Sequence, residues 1–371
     1  TPAHHSKQSD EQGYLMNKAT RAAHSSLRQR AGQKAIAALL GSALLAMPLA
    51  ASALEKVSYR TNWFPQAEHG GWYQAATDGT YEKYGLEVEQ EPGGPQVNNL
   101  QLLLAGKADF VMLHSSGQIL EAVSQGLPIV AVAAFYQKDP QAIMTHKGVG
   151  HDSLEDLKGE PILLSQDAHQ SFWPWLKQKY GYTDEQVRPY TFQMGPFIAD
   201  SSVIQQCYVS SEPFVVKQAG IDPNLFLLSD YGWNSYSTLI VTTTDTVENR
   251  PELVESFVNA SVEGWYRYLN DPAETNVEIT RLAPNQTPEQ LAHSLDSVNS
   301  LGIVVSGDAL ELGIGAMTDA RWRDISEQLK SLDLLDKSTD YTKAFTTRFI
   351  GTDAIKAMMA EYPEVARGAA N

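Results

Sequence analysis

From residue 57 to about residue 243 short strand-like runs alternate with helical stretches across short loops, and this alternation is what most restricts the fold. It is the pattern of parallel α/β sheets whose helices cover the faces. VSYRT reads as a strand, residues 71–84 as a helix closed by Gly85, residues 86–90 as a second strand, and DFVML (109–113) as a third. SGQILEAVSQG follows as a helix with Ser115 or Ser116 as its cap, and PIVAVAAF (128–135) as a buried strand. A second unit of the same kind begins near His146, with PILLS (161–165), the helix FWPWLKQKYG, and the strands VRPYTF and LFLLS. QAIMTHK leads out of the first unit and STLIVTT (237–243) leads back, so the expectation is a bilobed α/β protein with a two-crossing hinge. Residues 54–143 and 240–371 form the first lobe with C-terminal packing helices, and residues 144–239 the second. Pro251 and Pro288 mark helix starts after the second crossing, with Thr287 as a cap.

Residues 1–53 stand apart. Arg28, Arg30 and Lys34 precede an apolar run at 35–49, and Ala51-Ser52-Ala53 supplies a small-x-small cleavage site. That run falls short of the roughly 20 residues needed to span a bilayer, so the reading is an upstream extension before Met16, then a signal peptide cleaved after Ala53. Removing the six Lys/Arg and two Asp/Glu of this leader from the chain's 28 and 44 leaves a net charge of about −20. Such a surface argues against nucleic acid and anionic membranes as partners. Cys207 is the one cysteine, so no internal disulfide can form, and the remaining histidines lack metal-ligand spacing. No metal or cofactor is expected, and the exported product should be a soluble, monomeric periplasmic protein.

In open α/β sheets, ligands bind beyond the carboxyl ends of the strands, where loops run into helix starts. Four such loops are rich in polar and aromatic groups. TNWFPQAEHGGWY (61–73) offers Asn62, Trp63 and His69 beside Gly70 and Gly71, which would let a ligand approach the backbone. HSSG (114–117) offers Ser115 and Ser116, and SQDAHQSFW (165–173) offers His169, Gln170 and Ser171. In CYVSSEPF (207–214), Tyr208 and Glu212 are four apart, which on a helical turn places a ring beside a carboxylate. A flat heterocycle with an amino group could stack on Tyr208 and donate to Glu212. Tyr236, in YGWNSY, adds an aromatic near the return crossing. None of the four loops contains Lys or Arg, which disfavours a bare anion unless Lys138 or Lys147 turns inward.

The stretch NWFPQAEHGGWYQAATDGTYEKYGLEVE resembles the opening of the SsuA/THI5-like (NMT1-type) periplasmic binding proteins, and the similarity continues through AGKADFVMLHSSG, GLPIVAVAAFYQKDP and ENRPELVESFVNAS. It spans about residues 57–265. The resemblance implies a type II periplasmic-binding-protein fold and a substrate-binding protein of an ABC importer, whose membrane subunits are its protein partner. Members that bind thiamine-pyrimidine precursors match best, through Asn62, Trp63, His69, Tyr208 and Glu212. Eukaryotic relatives are enzymes that build the pyrimidine from pyridoxal phosphate, with a lysine just after the third strand and a cysteine-rich segment. This chain has MLHSSG and only Cys207 in those places, so no catalytic residue is expected.

Overall fold

A computed structural model describes residues 53–94 and 96–368; the signal peptide reading lies outside the described residues. Residues 54 onward form one compact unit containing two five-stranded sheets. The first sheet has the order β2-β1-β3-β10-β4, from β1 (Glu55–Arg60), β2 (Leu86–Glu91), β3 (Phe110–Ser115), β4 (Ile129–Tyr136) and β10 (Ser237–Thr243). The second has the order β7-β6-β8-β5-β9, from β5 (Gln141–His146), β6 (Ile162–Leu164), β7 (Val187–Pro189), β8 (Ile204–Tyr208) and β9 (Pro223–Leu227). Each sheet repeats one scheme, in which three parallel strands are followed by one antiparallel strand. That strand is β10 in the first sheet and β5 in the second.

The antiparallel strand is in each case the first one laid down after a crossing. QAIMTH and STLIVTT are therefore sheet strands, and the links are residues 137–140 and 228–236. The first lobe's leading segment ends at the link at 137–140, not at residue 143, because β5 pairs along its length with β8 and β9.

The core follows from the sequence pattern. All eight residues of β4 are buried, as expected for a strand covered on both faces. The helix Pro251–Asn270 starts on its proline and buries Leu253, Val254, Phe257, Val258, Val262 and Trp265. It lies close against the helix Gly70–Thr77. A Cβ on Gly71 would come within 2.2 Å of the Trp265 ring, one on Gly70 within 2.0 Å of Tyr268, and one on Gly264 within 2.2 Å of the Gly71 carbonyl. The Gly70-Gly71 pair thus serves helix packing. Its expected role, admitting a ligand to the backbone, is corrected: aromatic side chains of the later helix occupy that space. Thr287 caps its helix as expected, its side chain accepting from the Gln290 amide.

Candidate functional site

Both sheets turn the carboxyl ends of their parallel strands toward residues singled out in the sequence. On the first lobe β1 lies between β2 and β3, so the chain leaving β1 at Asn62 runs beside His114 near the end of β3. The loop after β2 presses on it from the other side. A Cβ on Gly93 would sit 2.4 Å from the Thr61 carbonyl and 2.6 Å from the Asn62 carbonyl carbon, so only glycine fits.

Asn62 links two histidines. Its Oδ1 lies 2.9 Å from His69 Nε2 and its Nδ2 lies 3.0 Å from His114 Nδ1. His69 is buried, and burial, aided by the neighbouring His114, lowers its pKa to about 3. His114 has exposed surface, yet the protein enclosing it also lowers its pKa by desolvation. Trp63 is half-buried with its ring edge-on to Phe64 at 5.6 Å, and Phe64 is 52% exposed.

On the second lobe Ser165, Tyr190 and Tyr208 stand at the carboxyl ends of β6, β7 and β8. Glu212 opens the helix Glu212–Gln218 and is half-buried. Its Oε2 accepts from the Tyr208 amide at 2.9 Å and its Oε1 from the Tyr190 hydroxyl at 3.0 Å. Burial raises its pKa, while these donors act to lower it. Tyr208 and Glu212 come together, but not as two residues on one helical face: the carboxylate reaches back across a turn to the end of the strand. Tyr208 is half-buried, and its hydroxyl pKa is pushed up by burial and by Asp139. Beyond Tyr190, the Phe192 ring lies tilted at 44° to it with centroids 4.9 Å apart, is itself exposed, and holds φ at 61°, a strained conformation for an aromatic residue.

Other candidates are placed elsewhere. Ser115 caps its helix, accepting from the Gln118 amide, so capping falls to it and not to Ser116. Ser116 is buried and pairs with the Ser235 hydroxyl at 3.2 Å. Tyr236 is buried as well; its hydroxyl meets Asp308 and the Thr318 amide, and the Arg321 guanidinium lies 4.1 Å over its ring. Ser116, Tyr236 and His69 are therefore interior residues whose visible polar contacts are within the protein. His169 and Ser171 are half-buried and Gln170 is exposed, with the Ser171 hydroxyl donating to the Asp167 carbonyl. Lys138 and Lys147 pair with Asp230 and Asp222, so neither is turned inward as a free cation.

The lobes also touch and are braced. Ser210, two residues beyond Tyr208, donates to the buried Glu68 carboxylate of the first lobe at 2.5 Å, and its carbonyl accepts from Ser294 at 2.7 Å. At the hinge, Trp233 Nε1 in one link donates to Asp139 in the other at 3.1 Å. Burial raises the Asp139 pKa to about 6. Arg321 reaches both links, through the Gln137 carbonyl on one side and Asn234 Oδ1 at 3.1 Å and the Ser235 carbonyl at 3.3 Å on the other. Sequence reading missed His114, Tyr190, Gly93 and Ser210. HSSG did flag His114's loop, but the ring's role depends on β1 lying next to β3.

Among the described residues no group of three or more His, Cys, Asp or Glu could hold a metal ion, and no helix is long and apolar enough to cross a membrane. A family profile described as NMT1/THI5 like matches residues 66–275. The chain belongs to that family. The matched span takes in His114, Tyr190, Tyr208 and Glu212, while Asn62 to Phe64 lie just ahead of it. The riboflavin-binding protein RibY of Chloroflexus aurantiacus is 25% identical over 310 residues, covering 82% of this chain and 88% of that protein. The formylaminopyrimidine-binding protein of Halalkalibacterium halodurans is 25% identical over 313 residues, covering 80% and 91%. The periplasmic aliphatic sulphonate binding protein SsuA of Escherichia coli superposes with a TM-score of 0.61 at 12% identity, covering 78% of this chain and 91% of that one. At that identity the likeness concerns the fold, which is the bilobed periplasmic-binding-protein fold expected from the sequence.

Proposed function

We propose that this NMT1/THI5-like chain is the periplasmic substrate-binding protein of an ABC importer and that it encloses an aminopyrimidine-type heterocycle between its lobes. It acts as a binding protein and not an enzyme, works as a monomer, and hands its cargo to the importer's membrane subunits. The observation that carries this reading is the state of Glu212. Its carboxylate is held by two donors at a strand end, beside the half-buried Tyr208 ring, with acceptor capacity left for a ligand amine. A ring that stacks on Tyr208 or Trp63 and donates to Glu212 satisfies a buried acid that burial alone destabilises. The four strand-end loops contain no Lys or Arg, which supports a neutral or cationic heterocycle over a sulfonate or nitrate. Closure follows if the ligand touches both lobes, since only a difference in affinity between open and closed forms shifts their balance.

A thermal-shift screen with aminopyrimidines, riboflavin, taurine and nitrate tests the reading. A ligand at 1,000 times its Kd adds about 4 kcal/mol, which raises Tm by several degrees. Aminopyrimidines should give that shift. If taurine does so and aminopyrimidines leave Tm unmoved, the ligand assignment is wrong. Incubation with pyridoxal phosphate and iron, followed by mass analysis, should show intact histidines and no pyrimidine product; a histidine consumed as pyrimidine forms would make the chain an enzyme.

A further inference from the structure

His114 is the one residue of β3 with an exposed side chain, following four buried apolar residues. Solvent-facing side chains at strand ends usually keep their rotamer freedom, because fixing them costs entropy with nothing gained. Here the backbone is held on both sides and the ring by one contact. Its amide donates to Gln118 Oε1 at 3.2 Å, its carbonyl accepts from the Ser237 hydroxyl at 2.8 Å, and its Nδ1 meets Asn62 Nδ2 at 3.0 Å. Asn62 is in turn fixed by the buried His69 at 2.9 Å, and its backbone is wedged by Gly93. Among the described residues no hydrogen-bond partner meets the other ring nitrogen, Nε2. The ring keeps exposed surface at the carboxyl end of β3, where ligands of open α/β sheets bind.

We propose that His114 is the first lobe's hydrogen-bonding contact to the ligand, through Nε2, and that Asn62 and His69 stand behind it as positioning residues. This rests on the binding role proposed above and adds a specificity determinant to it. With Asn62 turning its Nδ2 to the ring, His114 accepts at Nδ1 and the neutral imidazole carries its proton on Nε2. The first lobe then offers a donor and the second, through Glu212, an acceptor. The ligand class that satisfies both is a flat ring with an acceptor, such as a ring nitrogen or carbonyl, on one edge and an N–H on another. Asn62, expected from the sequence to touch the ligand directly, has both ends of its amide occupied within its own lobe.

The test is calorimetric titration of the protein with an aminopyrimidine and with its carbocyclic analogue, in which the ring nitrogens are replaced by CH. The wild type should prefer the pyrimidine by about tenfold, the worth of one well-formed hydrogen bond. His114→Phe should lose that preference, weakening pyrimidine binding about tenfold and leaving the analogue's affinity as it was. His114→Gln, which keeps a donor and guards against a folding defect, should retain part of the preference. Asn62→Ala should reduce it a few-fold by freeing the ring. If His114→Phe keeps the full preference, or weakens both ligands equally, the assignment of His114 falls while the binding role stands. A wild type that binds no aminopyrimidine overturns both.

Discussion

In the proposed site the first lobe's wall carries a neutral pair, Asn62 and His114, backed by the buried His69; the second lobe's carries an acid, Glu212, backed by Tyr190 and the Tyr208 amide. Both walls are made from the same topological part, the carboxyl ends of parallel strands. Burial acts on both, and because it penalises charge it lowers the histidines and raises the glutamate. The difference lies in what offsets that penalty. The imidazoles escape it by staying uncharged, whereas Glu212 is given two donors that favour its ionised form. On the binding role proposed above, charge selection belongs to the second lobe and directional selection to the first.

The largest expected effect breaks the comparison on its acidic side. Glu212→Gln removes a charged acceptor, and hydrogen bonds to charged groups contribute about 1.5–3 kcal/mol, so aminopyrimidine affinity should drop more than tenfold in a titration. Unchanged affinity would take Glu212 out of recognition and leave the first lobe to act alone. Gly93→Ala strikes the support of the other wall. Its Cβ would overlap the Thr61 carbonyl, and overpacking of this kind costs about 1–3 kcal/mol. Denaturant unfolding should register that loss together with weaker binding, and a variant as stable as the wild type would show that the loop slides freely.

Acidification, read in the wild type and in Glu212→Gln, separates the walls. The Glu212 pKa is raised above the ordinary 4.5, so as pH falls through that raised value the carboxylate takes up a proton and binding should weaken. Burial lowers the His69 pKa to about 3 and holds that of His114 below its ordinary 6.5, so both imidazoles resist charging as pH falls. Affinity measured from pH 7 downward should fall on the Glu212 titration, and Glu212→Gln should flatten the curve. A slope that survives in that variant would assign it to the histidines. The smallest effect is Ser210→Ala. It leaves Glu68 without its hydroxyl donor from the second lobe, and one such hydrogen bond is worth about 1 kcal/mol. Affinity should fall a few-fold with Tm nearly unchanged, and an intact affinity would mean that the contact does not help hold the lobes together.

Much of this architecture was legible in the sequence because it is local. The alternating period, the prolines at 251 and 288 and the threonine cap at 287 are set by near neighbours, and each is found where the chain placed it. The strand-end rule also pointed to Asn62, Trp63, Tyr208 and Glu212 before any coordinates. What could not be read depends on which strands and helices become neighbours. Gly70 and Gly71 resembled a ligand loop because the Trp265 and Tyr268 rings that demand them arrive nearly 200 residues later. Tyr190 could not be tied to Glu212 without knowing that β7 and β8 flank β6. Tyr236 looked like a loop aromatic, and it is buried because Arg321, from a helix for which the sequence suggested no chemistry, covers its ring.

That guanidinium has one more consequence. It grips both connecting segments at once, so any swing of the jaws must stretch or swap its bonds to Gln137, Asn234 and Ser235. The stiffness of the joint is therefore tuned from the last third of the polypeptide, apart from the surfaces that choose the cargo. Selectivity and ease of opening can drift separately over evolutionary time, because neither is written in the other's residues.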